Sequence, residues 1–339
     1  MTSNSSYLNM GEKIIFLRIK NNLVLSKLHR KVKLQFGDKV FFALAKSSGM
    51  LVVTLVLSIG IFLFWRAVPA LTRNEENFLF YSGAWIINDI SAMHFGIFAQ
   101  LQTTLFVAFF ALVLAMPTSL GIAIYLTQYA SRRLAGPLAY IVDLLAAVPS
   151  IVYGIWGLYI LAPTIKPVAV WINIHIGWIF LFKTGSVSVA GGGTIFTAGA
   201  VLAVMILPII TAASREVFSR VPCGQIEAAL ALGATRWEVV SIAVLPFGIS
   251  GYISGVMLGL GRSLGETIAL LIILRSTQNV FSWTLFDGGY TLASKIASSS
   301  TELNEQYKIS AYIAAGLVLF ILTFVVNSLA RASVAGKRY

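Results

Sequence analysis

Uncharged apolar runs as long as a bilayer is thick recur along this chain, and they restrict its fold more than any other feature. They lie at Ser47–Trp65, Ala99–Ser131, Thr184–Ser214, Val239–Gly261 and Ile309–Ala330, while Leu134–Ile165 is interrupted only by Asp143. A helix crosses a hydrocarbon core of about 30 Å in about 20 residues. With no water to bond the backbone, only helices and closed barrels can span that core, and solid apolar runs lack the alternation of barrel strands. Charged residues make up 11% of the 339 and hydrophobic ones 58%, whereas an ordinary soluble domain is about 25% charged. The expected fold class is therefore an all-α integral membrane protein. Six transmembrane helices are expected near 47–66, 101–127, 137–161, 194–213, 247–273 and 309–331.

The basic residues give the spans an orientation. With a cytoplasmic amino terminus, the inner segments hold 17 Lys/Arg and the outer ones 7, with Arg262 inside a span. That bias follows the positive-inside rule and puts both termini in the cytoplasm. The short uncharged stretch Pro167–Phe182, with Asn173 and His175, reads as an amphipathic segment on the outer surface. Counting it as a seventh span would put the basic carboxyl end outside. Residues 1–46 form a basic extension with nine Lys/Arg and two acidic residues. Topology and attraction to anionic headgroups explain that charge. No nucleic-acid motif accompanies it, and the amino terminus has no apolar core of signal-peptide length.

Several kinds of chemistry are disfavoured. Cys223 is the single cysteine, and the three histidines, at 29, 94 and 175, fall in surface or interfacial segments. No zinc spacing and no nucleophile–histidine set appears, so no cofactor or metal is expected. No Gly-x-x-x-x-Gly-Lys-Ser/Thr loop is present for ATP.

Two features remain that a generic bundle of spans does not need. The first is the long inner connection Arg215–Leu245. Pro222 suits a helix start, Glu227–Leu232 is strongly helix-forming, and Gly233 ends or bends that helix before a second begins near Thr235. Such a helix can rest on headgroups or dock in a partner's groove. The second feature is the intramembrane pair Arg262 and Glu266. Each costs roughly 2.5–3.5 kcal/mol at mid-membrane, which makes function the default hypothesis. Their i, i+4 spacing lets them pair on one helix face, either as a structural ion pair or as an anion site. The glycines 251, 255 and 259 read as a close-packing stripe. Asp143 is expected near the inner interface, paired with Arg132 or Arg133. Ser150 and Tyr153, beside Pro149, either donate into a path or bond neighbouring helices.

Glu227-Ala228-Ala229, three residues, Gly233 and then Leu245-Pro246 resembles the "EAA" motif of ABC importer permeases, with Ala243 in place of the usual Ile. The segments Ala147–Gly154 and Leu258–Thr267 look like those of the phosphate-specific transport (Pst) permeases, C-subunit type. Further similarity runs through Pro117–Tyr125, Arg132–Pro137 and Leu285–Ile296, and the likeness covers the chain from about Asp38 onward. The resemblance implies a type I (MetI-like) ABC importer transmembrane domain over 47–339. Its function would be to form half of the translocation pathway of an ATP-driven, high-affinity phosphate importer. It also implies Arg262, Glu266, Thr267, Ser150 and Tyr153 as pathway residues. Glu227, Ala228, Ala229 and Gly233 would contact the ATPase. The implied partners are a second related permease subunit, two ATPase subunits and an extracytoplasmic phosphate-binding protein, in a bacterial cytoplasmic membrane. Rival readings are a permease for sulfate, molybdate or tungstate, and an ATP-independent secondary transporter or channel. An intramembrane enzyme lacks a catalytic set.

Overall fold

The computed structural model describes residues 36–83, 85–87, 93–185, 191–275, 283–299 and 305–335, so most of the basic extension lies outside the described residues. The chain divides into two compact units, Met1–Ile59 and Gly60–Tyr339. What is described of the first unit is helical and exposed throughout. It belongs to the helix Phe36–Leu71, which starts before the expected first span and runs beyond it.

Among the described residues, six helices are long and apolar enough to cross a membrane: Phe36–Leu71, Phe98–Tyr129, Ser150–Ile176, Ile195–Phe218, Arg236–Leu264 and Gln306–Leu329. The fourth span, Ile195–Phe218, is the central element of the second unit, with Val201, Ile206 and Ile210 fully buried. The second and fifth spans pack against it. Gly248 and Gly251 of the fifth span face Phe218 and Val217 so closely that a Cβ on either would collide. At Gly255 and Gly259 a Cβ would stand 2.8 Å from Ala213 and 2.9 Å from Ile210. The small-residue stripe is therefore a helix–helix seam, where dispersion between close backbones replaces a hydrophobic effect that lipid does not provide.

The third span departs from expectation. Residues 137–161 are not one helix, because Val148 and Pro149 are extended (ψ 130° and 140°) and end the helix Arg132–Ala147. Proline has no N–H to continue the ladder, and it disfavours helical backbone in the residue before it. The crossing helix begins at Ser150 and runs to Ile176, so residues 167–176 belong to it and not to a surface segment. Pro163 and Pro167 are accommodated inside it. A π-turn, Gly157–Leu161, sits just before Pro163 and widens the helix where the ring would otherwise strike a preceding carbonyl. The amphipathic element is Arg132–Ala147, in which none of residues 133–147 is buried. It takes up the first part of the stretch expected to be the third span. The number of candidate spans among the described residues is again six.

Asp143 of that amphipathic helix pairs with Arg215 at 3.0 Å and not with Arg133, while the side chain of Arg132 lies outside the described residues. The pair ties the helix to the last turn of the fourth span. The fifth span is also shorter than expected at its far end. It stops at Leu264, and residues 268–273 form a separate helix, Ile268–Ile273.

Candidate functional site

The interruption between Leu264 and Ile268 collects most of the residues that sequence singled out. Gly259 packs against Ile206 and Ile210, near the middle of the fourth span. Arg262, about one turn further on, therefore lies well inside the membrane-spanning region. It sits in the last turn of its helix, where the partial negative charge of unpaired carbonyls favours a cation.

Glu266 is 8% exposed. Its Oε1 accepts from the Ala269 N–H at 3.3 Å, so the carboxylate sits at the start of the following short helix. The Arg262–Glu266 ion pair, one of the two alternatives that the spacing left open, is not formed. The i, i+4 argument needs an uninterrupted helix, and Gly265 (φ −92°, ψ 0°) and Thr267 (φ −114°, ψ −62°) break it. Among the described residues Arg262 makes neither an ion pair nor a hydrogen bond, and its guanidinium side chain is exposed.

A chain break at this depth exposes backbone groups that hydrocarbon cannot satisfy. Local side chains satisfy several of them here. Ser263 Oγ donates to the Leu260 carbonyl at 2.8 Å, and Thr267 Oγ1 donates to the Gly265 carbonyl at 3.1 Å.

The Pro149–Gly154 segment packs against this break, although more than a hundred residues separate the two in sequence. A Cβ on Gly154 would stand 2.9 Å from the Ala269 Cα, and one on Gly157 would stand 3.1 Å from Ile273. Tyr153 is 7% exposed, and its hydroxyl donates to the Leu145 carbonyl at 2.8 Å. That bond satisfies a last-turn carbonyl of the amphipathic helix across the Pro149 corner. Tyr153 therefore bonds a neighbouring helix, the second of its two sequence readings. Ser150 is half-buried one turn before Gly154.

The second set of residues lies at the other end of the fifth span. Cys223–Ala231 is a short helix entered from Pro222. Gly233 follows at φ +85°, a backbone conformation that glycine adopts without penalty. Thr235 then caps the next helix: it accepts from the Glu238 N–H while the Glu238 carboxylate accepts from the Thr235 N–H. Glu227 and Ala228 are exposed, Ala229 is half-buried and Leu232 is 90% exposed. An open groove of about 860 Å³, lined by Ala228, Ala229, Leu232, Gly233, Glu238 and Pro246 among others, runs between the short helix and the base of the fifth span. Arg236 and Arg262 are separated by roughly 39 Å of helix at 1.5 Å per residue. The two sets are thus joined by one element and do not form one site.

Sequence reasoning missed three features here. The break itself was signalled only by Gly265 and a β-branched Thr267 inside an apolar run. The Asp143–Arg215 pair joins elements 72 residues apart. The hydroxyl of Tyr252 donates to the Met116 carbonyl at 3.0 Å, next to Pro117 of the second span.

Residues 115–339 match the family described as binding-protein-dependent transport system inner membrane component. The chain is 54% identical over 301 residues to the phosphate transport system permease protein PstC 2 of Mycobacterium tuberculosis, covering 89% of this chain and 93% of that protein. It is 56% identical over 278 residues to the phosphate transport system permease protein PstC of Mycobacterium leprae, covering 82% and 87%. Among solved structures, a bacterial ABC transporter involved in the import of the acidic polysaccharide alginate superimposes with a TM-score of 0.51 at 14% identity. That match covers 71% of this chain and 79% of the other.

Proposed function

The chain belongs to the binding-protein-dependent transport system inner membrane components, among the PstC phosphate permeases, and from that membership we propose which residues carry its function. It is a membrane subunit of a phosphate ABC transporter and not an enzyme, because ATP hydrolysis in such importers resides in a separate chain.

Arg262 is the anion-binding group of the pathway. One observation carries this reading: a guanidinium deep within the spanning region, exposed and without an ion pair among the described residues, beside a helix break. Its planar set of donors suits a phosphate oxyanion, and such charge-assisted bonds are the strong ones. Glu266 holds the break in shape through the Ala269 N–H. Thr267 and Ser150 supply hydroxyls along the path, and Tyr153 forms part of its wall. Half of the pathway belongs to this chain and half to a second, related permease subunit.

Glu227, Ala228, Ala229 and Gly233 transmit the state of the ATPase. The exposed Leu232 and the groove beside it support this reading, since an apolar surface of that kind favours a cover. The partners are two ATPase subunits at this end and an extracytoplasmic phosphate-binding protein at the other. The Lys/Arg bias supports cytoplasmic termini in a bacterial cytoplasmic membrane. Residues 1–46 then form a basic extension on the inner face, followed by the permease domain at 47–339.

Reconstitution with the ATPase and the partner permease tests the assignment. Arg262→Ala should abolish ATP-dependent phosphate uptake while the assembled complex still forms. Normal uptake by that variant removes Arg262 from the pathway, and competition by sulfate, molybdate and tungstate tests the choice of anion.

A further inference from the structure

The pathway described so far does not use the stretch between Trp283 and Leu292, which turns back beside the second span. Gly289 rests on Thr103: a Cβ on the glycine would stand 3.6 Å from the threonine Cβ. The Leu292 N–H donates to Thr104 Oγ1 at 3.0 Å, and the Trp283 ring meets Phe106 edge-on at 6.2 Å. These partners lie five to eight residues inside a span that begins at Phe98, or roughly 8–12 Å along it. None of residues 283–290 is helical, and residues 284–288 are buried. Non-helical backbone at membrane depth persists only where its polar groups find partners in the protein.

Those partners come from separate parts of the chain. The Leu285 N–H donates to the Leu181 carbonyl at 2.8 Å, just beyond the third span. The Leu285 and Asp287 carbonyls accept from the Phe196 and Ile195 N–H groups at 2.7 and 2.8 Å, capping the first turn of the fourth span. The Gly289 N–H donates to the Arg275 carbonyl at 3.2 Å, and the Arg275 N–H donates to the Gly193 carbonyl at 3.1 Å. Arg275 follows directly on the short helix Ile268–Ile273 and its cap Leu274, and Glu266 holds the other end of that helix. The stretch therefore fixes the far end of the helix that follows the break. Phe286 is fully buried between Phe182 and Phe196, at centroid distances of 6.3 and 5.4 Å. One group is left unserved: Thr284 Oγ1 is buried without a hydrogen bond among the described residues. That orphan hydroxyl weighs against this arrangement and in favour of one that hydrates it.

We propose that Thr284–Gly289 is a latch. It holds the short helix that follows Arg262 in its present position, and it comes away from the first turn of the fourth span in every transport cycle. One run of six residues serves both the fourth span and Arg275, so its release uncaps Ile195 and Phe196 and frees the end of the short helix together. Packed elements of this kind switch between discrete arrangements and do not deform continuously. The fourth span runs from Ile195 at the latch to Phe218 beside the connecting loop, so the latch lies at the end of the bundle opposite that loop. The inference rests on the reading in which a binding protein engages this end. Engagement that displaces the latch alters the break without touching Arg262.

The test locks the latch with a disulfide. Thr103→Cys and Gly289→Cys are combined with Cys223→Ser, which removes the exposed native thiol. The 3.6 Å separation at this pair suits the Cβ–Cβ spacing of a disulfide. The full transporter in liposomes is assayed reduced and oxidised, reading phosphate uptake and ATP hydrolysis with and without the phosphate-binding protein. Oxidation should cut uptake at least ten-fold and abolish the stimulation of hydrolysis by the binding protein, and dithiothreitol should restore both. Phe286→Leu loosens the latch without removing a polar group, and it should raise hydrolysis several-fold in the absence of binding protein. This variant carries the test if the cysteine pair fails to assemble. Uptake at the reduced rate in complexes with no free thiol left overturns the proposal. So does unaltered hydrolysis in Phe286→Leu complexes that assemble. A wild-type complex whose hydrolysis ignores the binding protein sinks the reading of that partner, whereas reversible loss of uptake on oxidation still upholds the latch.

Discussion

Gly154 and Ala269 meet backbone to backbone: a Cβ on the glycine would stand 2.9 Å from the alanine Cα. The third span thereby rests directly on the short helix that follows the break. Gly154→Val should push the two apart at a cost of about 1–3 kcal/mol, the usual penalty for overpacking. Phosphate uptake should fall several-fold more than assembly does, measured on the same proteoliposomes. Equal uptake would mean that this contact is not needed to shape the break.

The Asp143–Arg215 pair joins the amphipathic helix to the fourth span at 3.0 Å, with both side chains partly exposed. Such pairs contribute about 0.2–1 kcal/mol and are screened by salt. Asp143→Asn should therefore reduce thermal stability only slightly, and less at high salt. The double exchange Asp143→Arg with Arg215→Asp should recover most of that loss. A large loss in the single variant that the exchange does not recover would point to a different role for Asp143.

Gly233 at φ +85° sits between two helices of the connecting loop, and a Cβ there would meet nothing within 4 Å. The penalty for a substitution is thus conformational, not steric against neighbours. A β-branched residue in left-handed backbone costs roughly 1–2 kcal/mol. Gly233→Val should leave the spans folded and phosphate binding intact while ATP hydrolysis loses its dependence on transport. Stimulated hydrolysis and uptake at wild-type levels would count against a coupling role for the turn.

Tyr252 donates to the Met116 carbonyl, one residue before Pro117. Hydrogen bonds between membrane helices average about 0.6 kcal/mol. Tyr252→Phe should lower the melting temperature modestly and leave phosphate KM unchanged. A change in KM without a loss of stability would mean that the hydroxyl serves the path.

Much of this was readable from sequence because it depends on local properties. Apolar length placed six spans, and the Pro222, Gly233 and Thr235 signals placed both helices of the loop, since capping and left-handed turns act over a few residues. The glycine seam was readable as a stripe, although its partner helix was not. The third span was misplaced because Val148–Pro149 interrupts a run whose hydropathy is continuous. Composition cannot separate an apolar helix that crosses from one that does not. The Arg262–Glu266 spacing suggested a pair, and two backbone torsions at Gly265 and Thr267 undid it.

The fifth span carries a mechanical consequence. From the Thr235 cap to Leu264 it is helical throughout, with a π-turn at Val240–Val244, and its 29 residues measure roughly 43 Å. A rod of that length pivoting at the loop end is a lever arm: a tilt of about 5° displaces its far tip by roughly 4 Å. The tip carries Arg262. The Gly248–Gly259 seam leaves no room for the fifth span to slide on the fourth, so a small rotation at the loop would tilt the two spans together and carry Arg262 with them.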